Sequence, residues 1–590
     1  MTSLGRLDGR STSLVAAVLV LALGVGALLG RGAPLGAAGP LCTVDAGGGG
    51  DYTTIQAAVN DPGCTTIQVA GGTYVEQVEI TRPLILQGAG ASTVVQSPDS
   101  LTQFFTTSTD NYPIIYVHDT QDVTLRDLVV DGAGKGQANY RFIGIAFYNA
   151  EGTVTGVEVK DIRDTPFSGN QHGVGIYVFN RDGVGRTVTV QNNTIHGFQK
   201  NGITLNAAPD TPLVVDVRGN TITGAGANDI IAQNGIQVWA SQGSGTIADN
   251  TITGIAYDNT ANPIKWVATS ILNLYADLTI QDNTITQGHV GIYSYDGSGQ
   301  IVGNDLSIEK VGVAAWGIIA TDPPQAVPQP FDQMGGTGGR AGTRAAKLLT
   351  VAVDRNTVRF NGNDNTSTFG VEADAGWGVD DLSFTASYNT ITGFDVGVEI
   401  FACQSNCAPG VFTQVVATCN QIEDNTIGMR SNVPYLTVNA EMNWWGDPSG
   451  PSGLGPGLGD PVYGDIDFTP WNTERQCPTT AIHLVSFSGR AQGEKVVLRW
   501  QTGTEMDNAG FHIYRADVAR REWVRLNHDL IPARGNEVQG ATYEFVDTPG
   551  VGRFYYVLED VDLQGVATRH GPISLRVGEF QELFLPMVQR

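Results

Sequence analysis

Positive charge is what this sequence has least of. Its 590 residues carry Lys+Arg 34 against Asp+Glu 59, a formal net charge of −25. Nucleic acids and anionic membrane surfaces both require clustered positive charge, so neither is an expected partner. Cysteine is also scarce, at six residues, with no CxxC pair and no Cys/His cluster, which removes the usual zinc sites. Helical periodicity is missing too: no stretch is long enough to supply the crossovers of an α/β sheet. What is left is an acidic, glycine-rich chain (75 Gly) in which nearly every segment reads as strand or turn.

The strands repeat. Nine asparagines open near-copies of one phrase: Asn193, Asn220, Asn250, Asn283, Asn304, Asn356, Asn389, Asn420 and Asn443. The clearest copies read Asn-Thr-Ile-Thr-Gly, from Asn220, Asn250 and Asn389. Successive differences give 27, 30, 33, 21, 52, 33, 31 and 23 residues. A ragged unit of that length indicates a solenoid. Each unit starts with a Gly-Ile/Val-x-Val-x strand, such as Gly175–Phe179 or Gly235–Trp239. A second alternating strand follows, then the asparagine phrase. Apolar residues two apart give each strand one buried face. Parallel strands joined lap after lap by short turns make a parallel β-helix. An asparagine at one turn in every lap can bond to its neighbours above and below, and it tolerates the left-handed backbone of tight turns.

The entrance carries a resemblance. Asp51-Tyr52-Thr53-Thr54-Ile55-Gln56-Ala57-Ala58-Val59, followed by Gly72-Thr73-Tyr74-Val75-Glu76, resembles the start of pectin methylesterases and other members of the pectin-lyase-like superfamily. The asparagine repeats are similar to the parallel β-helix repeats of that superfamily and extend the likeness almost to Trp471. The resemblance implies a right-handed parallel β-helix over 42–475, and therefore an all-β fold. Within it, Thr53–Val59 is expected to form a short helix plugging the open end, with Cys42 and Cys64 pinning that cap by a disulfide. Cys403, Cys407, Cys419 and Cys477 allow three pairings. The segment 321–347, rich in Pro and Gly, is expected to be an inserted loop and explains the 52-residue gap. Trp444, Trp445 and Trp471 are expected to seal the last coil.

Both ends of the chain differ from this middle. Residues 1–38 read as a signal peptide or signal anchor: Arg6 and Arg10, the apolar run Leu14–Leu29, then a small-residue cleavage site at Gly36-Ala37-Ala38. Residues 481–578 show seven short alternating strands and resemble the fibronectin type III-like β-sandwich modules of exported bacterial proteins. Residues 579–590 are a C-terminal tail. The expected location is extracellular or at the cell surface, as a monomer, with membrane contact only if the N-terminal segment is retained.

Function is less visible. With Ile and Val of Gly-Ile-x-Val-x turned inward, both x positions face outward. Lining up the coils puts Tyr148, Phe179, Trp239, Tyr275, Tyr295 and Trp316 in one outward column, with Tyr177 and Tyr293 beside it. Rings in a row suit the apolar faces of sugars, so a polysaccharide or surface glycan is the expected partner. The same rings could instead serve strand pairing or lie under a loop. Catalysis by a polysaccharide lyase or hydrolase is the alternative, and a non-catalytic adhesion or spacer role a third. The motifs of pectin methylesterases, pectate lyases and polygalacturonases are all missing, so the resemblance transfers no catalytic residue. Asp161, Asp164 and His172 are the candidates for acid–base work, although such residues are more often turn charges. No cofactor is implied. Calcium could be held by Asn361–Asn365 or by Asp465 and Asp467, neither of which supplies a full ligand loop.

Overall fold

The computed structural model describes residues 40–577, apart from 108, 259, 261–266, 312–313, 321–346, 377–379, 405–409, 476–481, 506–507, 518–522, 537–539, 564 and 566. The leader, the C-terminal tail and nearly all of the inserted loop therefore lie outside the described residues. No helix among the described residues is long and apolar enough to cross a membrane.

Residues from Leu41 to Asp467 wind into a right-handed parallel β-helix. A typical coil contributes Val174–Asn180 to one sheet, Arg186–Gln191 to a second and Thr194–His196 to a third. We call these the outer, lateral and narrow sheets. Among the described residues the lateral sheet has 15 strands and the narrow sheet 12, each pairing with its counterpart one coil away. The isoleucine of the asparagine phrase explains why the narrow strand forms where it does. Ile195, Ile222, Ile252, Ile285 and Ile391 stack in register and are wholly buried, while the threonine before each faces out. Burying such a side chain stabilises by roughly 1.5–3 kcal/mol.

The nine asparagines form one continuous ladder. The Asn193 Nδ2 and backbone N–H both donate to Asn220 Oδ1, at 2.9 and 3.1 Å. Asn220 does the same to Asn250, and the pattern repeats rung by rung to Asn443. Each amide also reaches backwards, as Asn220 Nδ2 does to Val190 O. Asn304 and Asn356, 52 residues apart, are adjacent rungs at 2.9 Å, so everything between them belongs to one coil. Before Asn193 the equivalent corners hold buried Leu128 and Val157.

The left-handed turn residue is not the asparagine itself. It is the residue before each one: Asn192, Gly219, Asp249, Asp282, Gly303, Arg355, Tyr388, Cys419 and Met442 all have φ between +53° and +66°. The corner is turned one residue early, which frees the asparagine N–H to point along the stack.

Both ends of the coil are closed. The helix is Ile55–Asn60, capped by Thr54 Oγ1 and by Glu76, whose carboxylate accepts the Ile55 and Gln56 N–H groups at 2.9 Å. Arg82 donates to the Val59 and Asp61 carbonyls at its other end. Cys42 and Cys64 are disulfide-bonded beside it. Trp445 is wholly buried at the far end, and Trp471 packs partly over the core there. Cys403 and Cys419 each take part in a disulfide; Cys407 and Cys477 lie outside the described residues.

Residues 482–577 form two antiparallel sheets, of three and five strands, around their own core of Trp500, Phe511, Tyr543 and Tyr556. Glu505 is buried there but satisfied, accepting from Thr502 Oγ1, Tyr543 OH and the Arg534 and Gly535 N–H groups.

Replacing one rung tests the ladder. Asn250→Ala strips the buried Asn220 N–H and amide of their shared acceptor. At about 1–3 kcal/mol per stranded buried donor, a loss of roughly 2–4 kcal/mol is expected in denaturant unfolding. Thr251→Ala, one residue on and exposed, is expected to change stability by less than about 0.5 kcal/mol.

Candidate functional site

The outer sheet carries the candidate site on the side facing away from the core. Its registration rests on glycine. A Cβ on Gly175, Gly202, Gly235, Gly291 or Gly317 would stand 2.4–2.8 Å from the carbonyl of the equivalent residue in the next coil. Only glycine, with Ser270 in one coil, lets the strands approach this closely. The isoleucine or valine after it points inward.

Counting from this column corrects two expected positions. Tyr148, Phe179, Asn206 and Trp239 are partners in register, but the next member is Leu274, followed by Tyr295. Tyr275 sits one residue later, in the turn, at φ 74°. Its ring meets Tyr295 edge-on at 5.4 Å. Trp316 pairs with Val290 and Phe369 at the opposite end of its strand, because the column glycine of that coil is Gly317 and not Gly312.

Exposure departs from expectation as well. Tyr177 and Tyr293 are wholly buried, and Phe179 and Trp316 nearly so. The cause at the first coils is a hairpin laid over the sheet, in which Phe105–Thr106 pairs with Asp110–Asn111. Phe104 and Phe105 stack on Tyr116 at 4.9 and 5.2 Å, and Phe105 also meets Tyr148 and Tyr177. Farther along, Val267 packs with Leu272, Tyr293 and Trp316 in a second apolar cluster. Tyr148, Trp239, Tyr275 and Tyr295 stay half-buried, along the margin where the outer sheet turns into the lateral one.

Between the two apolar clusters lies a polar patch. Asn234 Nδ2 donates to Asn201 Oδ1 (3.1 Å), Asn201 Nδ2 to Gln237 Oε1 (3.0 Å) and to Thr204 Oγ1 (2.8 Å), and Gln237 Nε2 to Asn206 Oδ1 (3.1 Å). All five are buried. Thr269, next in register after Asn234, has a buried hydroxyl without a hydrogen-bond partner among the described residues.

The last coils of the sheet carry charge. Glu372, Glu399 and Arg430 are register partners in three successive strands. Arg430 donates to Glu399 at 2.8 Å, and Trp316 Nε1 to Glu372 Oε2 at 2.6 Å. Glu372, Glu399 and Asp374 are all buried. Burial pushes the Glu372 carboxyl up to about 7, with Glu399 adding to the rise and the Trp316 N–H opposing it. Glu399 is also raised by burial, with Arg430 pulling it back. The signal was present in the sequence: Gly370-Val-Glu, Gly397-Val-Glu and Gly428-Met-Arg put Glu, Glu and Arg at the first outward position.

The three acid–base candidates do not form one group. Asp164 and His172 meet at 3.0 Å, both sealed from solvent. Ser168, Asn170 and Gln199 also donate to Asp164, tying down the loop. Phe142 N–H donates to His172 Nδ1, which leaves Nε2 to carry the proton toward Asp164. Burial holds His172 below the ordinary imidazole range, so it is neutral. Burial works against the Asp164 charge, but the bonds from Ser168, Asn170 and His172 together hold its carboxyl low. Asp161 is a turn residue at φ 53°, ion-paired with Arg163 at 3.3 Å. Of the calcium candidates, Asp364 is bonded to Lys310 Nζ at 2.9 Å and Asp467 accepts from Thr469. Among the described residues no group of three metal-ligating side chains comes together.

Raised carboxyls make a pH prediction. Glu372 shifts from 4.5 to about 7, so between those values the folded state binds more protons than the unfolded one. Stability then falls as pH rises through that window, by about 3 kcal/mol for this group alone. Asp354 and Asp460, raised to about 6 by burial, act in the same direction. Glu372→Gln keeps an acceptor for Trp316. In unfolding titrations it is expected to match the wild type near pH 4.5 and exceed it near pH 8.

With the geometry set out, comparison with known proteins adds the fold and little more. The family model described as "Right handed beta helix region" matches residues 143–318. No curated protein matches the chain in sequence. Among solved structures, the gp42 tailspike of an Acinetobacter phage is 10% identical over 89% of this chain and 78% of its own, with a TM-score of 0.33. A hyperthermoactive exopolygalacturonase from Thermotoga maritima is 10% identical over 70% of this chain and 84% of its own, with a TM-score of 0.26. At that level neither substrate nor chemistry transfers. What the chain shares with known proteins is the right-handed parallel coil.

Proposed function

We propose that this chain is an exported β-helix protein that binds a polysaccharide or surface glycan along the margin of its outer sheet. One observation carries the reading: Tyr148, Trp239 and Tyr295 stand in a single column, half-exposed, with Tyr275 turned out beside them. From the Tyr148 coil to the Tyr295 coil is five strand spacings, a track of roughly 24 Å. A Tyr or Trp ring offers an apolar face to a sugar while its polar tip stays hydrated. Export follows from the leader at 1–38. The two-sheet C-terminal unit then serves as a fibronectin-like spacer or attachment module.

Cleavage of the bound chain is the second reading, favoured by Glu372 and Glu399. They are register partners in adjacent strands, so a pair of carboxyl groups faces the same side of the sheet. Their surroundings divide the labour. Glu372, raised to about 7 by burial, holds a proton it can give to a glycosidic oxygen. Glu399, also raised by burial but paired with Arg430, is the partner assigned as base or nucleophile.

The two readings separate experimentally. Binding predicts that Tyr148→Ala and Trp239→Ala each weaken retention on a glycan array by about five- to tenfold, the scale of one lost aromatic contact. Circular dichroism and the thermal midpoint report folding. Tyr177→Phe alters a ring sealed from solvent and is expected to leave retention unchanged. Cleavage predicts new reducing ends from a retained polysaccharide, absent in Glu372→Gln and in Glu399→Gln. Retention without products leaves binding alone, and no retention on any glycan reduces the coil to a spacer.

A further inference from the structure

The margin that holds the exposed rings has a charge as well as a shape. Each outer strand runs into a turn, and the turn into the first residue of a lateral strand. From Asp119 to Gly299 those turns and opening residues contain seven acids: Asp119, Asp122, Glu151, Asp182, Asp210, Asp277 and Asp296. Over the same stretch they contain two bases, Arg181 and Arg186. Arg186 is bound to Asp182 at 2.6 Å, and the Arg181 guanidinium lies 6.0 Å over the Phe179 ring. Lys347 reaches in from another coil to Asp277 at 3.1 Å. The balance stays clearly negative, and the whole chain adds its −25.

The groups behind the rings are uncharged. Asn201, Thr204, Asn206, Asn234 and Gln237 bond to one another as amides and a hydroxyl, and the Thr269 hydroxyl beside them has no hydrogen-bond partner among the described residues. No lysine or arginine stands at an outward position of the outer sheet from the Tyr148 strand to the Tyr295 strand. A polyanion on this track would meet a net excess of like charge, offset only in part by Arg181 beside the Phe179 ring. A chain of neutral sugars would not. Its CH faces fit the rings, and its hydroxyls can donate to the turn carboxylates.

We infer that the ligand of this margin is a neutral, hydroxyl-rich glycan and that polyuronates and sulfated chains are excluded. The inference rests on the glycan-binding reading above and narrows it. A divalent cation bridging the turn carboxylates to a polyuronate would reverse the charge logic, so calcium belongs in the test.

The test is affinity electrophoresis of the full chain through gels holding either a neutral polysaccharide panel (glucan, mannan, galactan, xylan) or polygalacturonate. Each gel is run with calcium and with chelator. Retardation is expected on at least one neutral polymer, changing by less than about twofold between low and high salt, since no ion pairs are involved. Trp239→Ala is expected to weaken it about five- to tenfold. Retardation by polygalacturonate equal to or stronger than by every neutral polymer, in either calcium condition, overturns the inference while leaving glycan binding intact. Retardation by none of them overturns glycan binding, and this inference with it.

Discussion

The amide rung is the interaction on which the rest of the molecule depends. One carboxamide oxygen accepts both the side-chain and the backbone N–H of the asparagine one coil back, while its own nitrogen reaches a carbonyl behind and an oxygen ahead. Aspartate lacks the donors and serine has one. The corner is nearly sealed from water, so a polar group there is tolerable only if every hydrogen-bonding atom is used. A left-handed residue placed immediately before each rung turns the backbone so that the geometry closes. From Asn193 onward the coil thus has one register, fixed at one corner and shared by all three sheets.

That shared register makes an outer-face column meaningful. Between Asn304 and Asn356 the chain leaves the coil's ordinary length and still lands on the next rung, so extra residues at a corner do not disturb stacking elsewhere. Equivalent side chains therefore remain one above another, and the outer face is divided into bands along the axis. Rings under the Phe104–Phe105 hairpin come first, then the amide patch, then rings around Trp316, and last the carboxylates with Arg430. Proximity within a band sets its chemistry. Glu372 is hard to ionise because it is buried, and a second carboxylate at the same position one strand away adds to the cost.

The fold was legible because its two repeating devices are written as residue types. The asparagine phrase marks one corner, and the glycine before an inward isoleucine marks the outer strand. Legibility failed where the second mark failed. Ser270 stands in for glycine, so Ile271–Tyr275 slides by one residue and Tyr275 takes the place of Leu274. Gly312 precedes a valine as a column glycine would, but Gly317 is the residue whose Cβ has no room. Burial was not legible at all. Whether an outward ring is covered depends on a hairpin such as Phe105–Asn111 folding back across the sheet, a contact between segments with no shared periodicity. Asp164 and His172 illustrate the converse: close in sequence and bonded in space, they turn out to tie down a loop.

The carboxylate band differs from the amide band in a way packing does not explain. Thr204 and Gln237 occupy the same outward column as Glu372 and Glu399, several coils earlier, and fill it with neutral groups that satisfy one another. Ala146, Leu272 and Ile319 stand in the same column, so stacking coils at this position does not require charge. Two adjacent buried carboxylates cost stability that amides would not, and Arg430 offsets only the nearer one. A scaffold under selection for stability alone would have settled on glutamine, as it did at Gln237. Retaining acids where the fold accepts amides is the mark of a place where the protonation state itself matters.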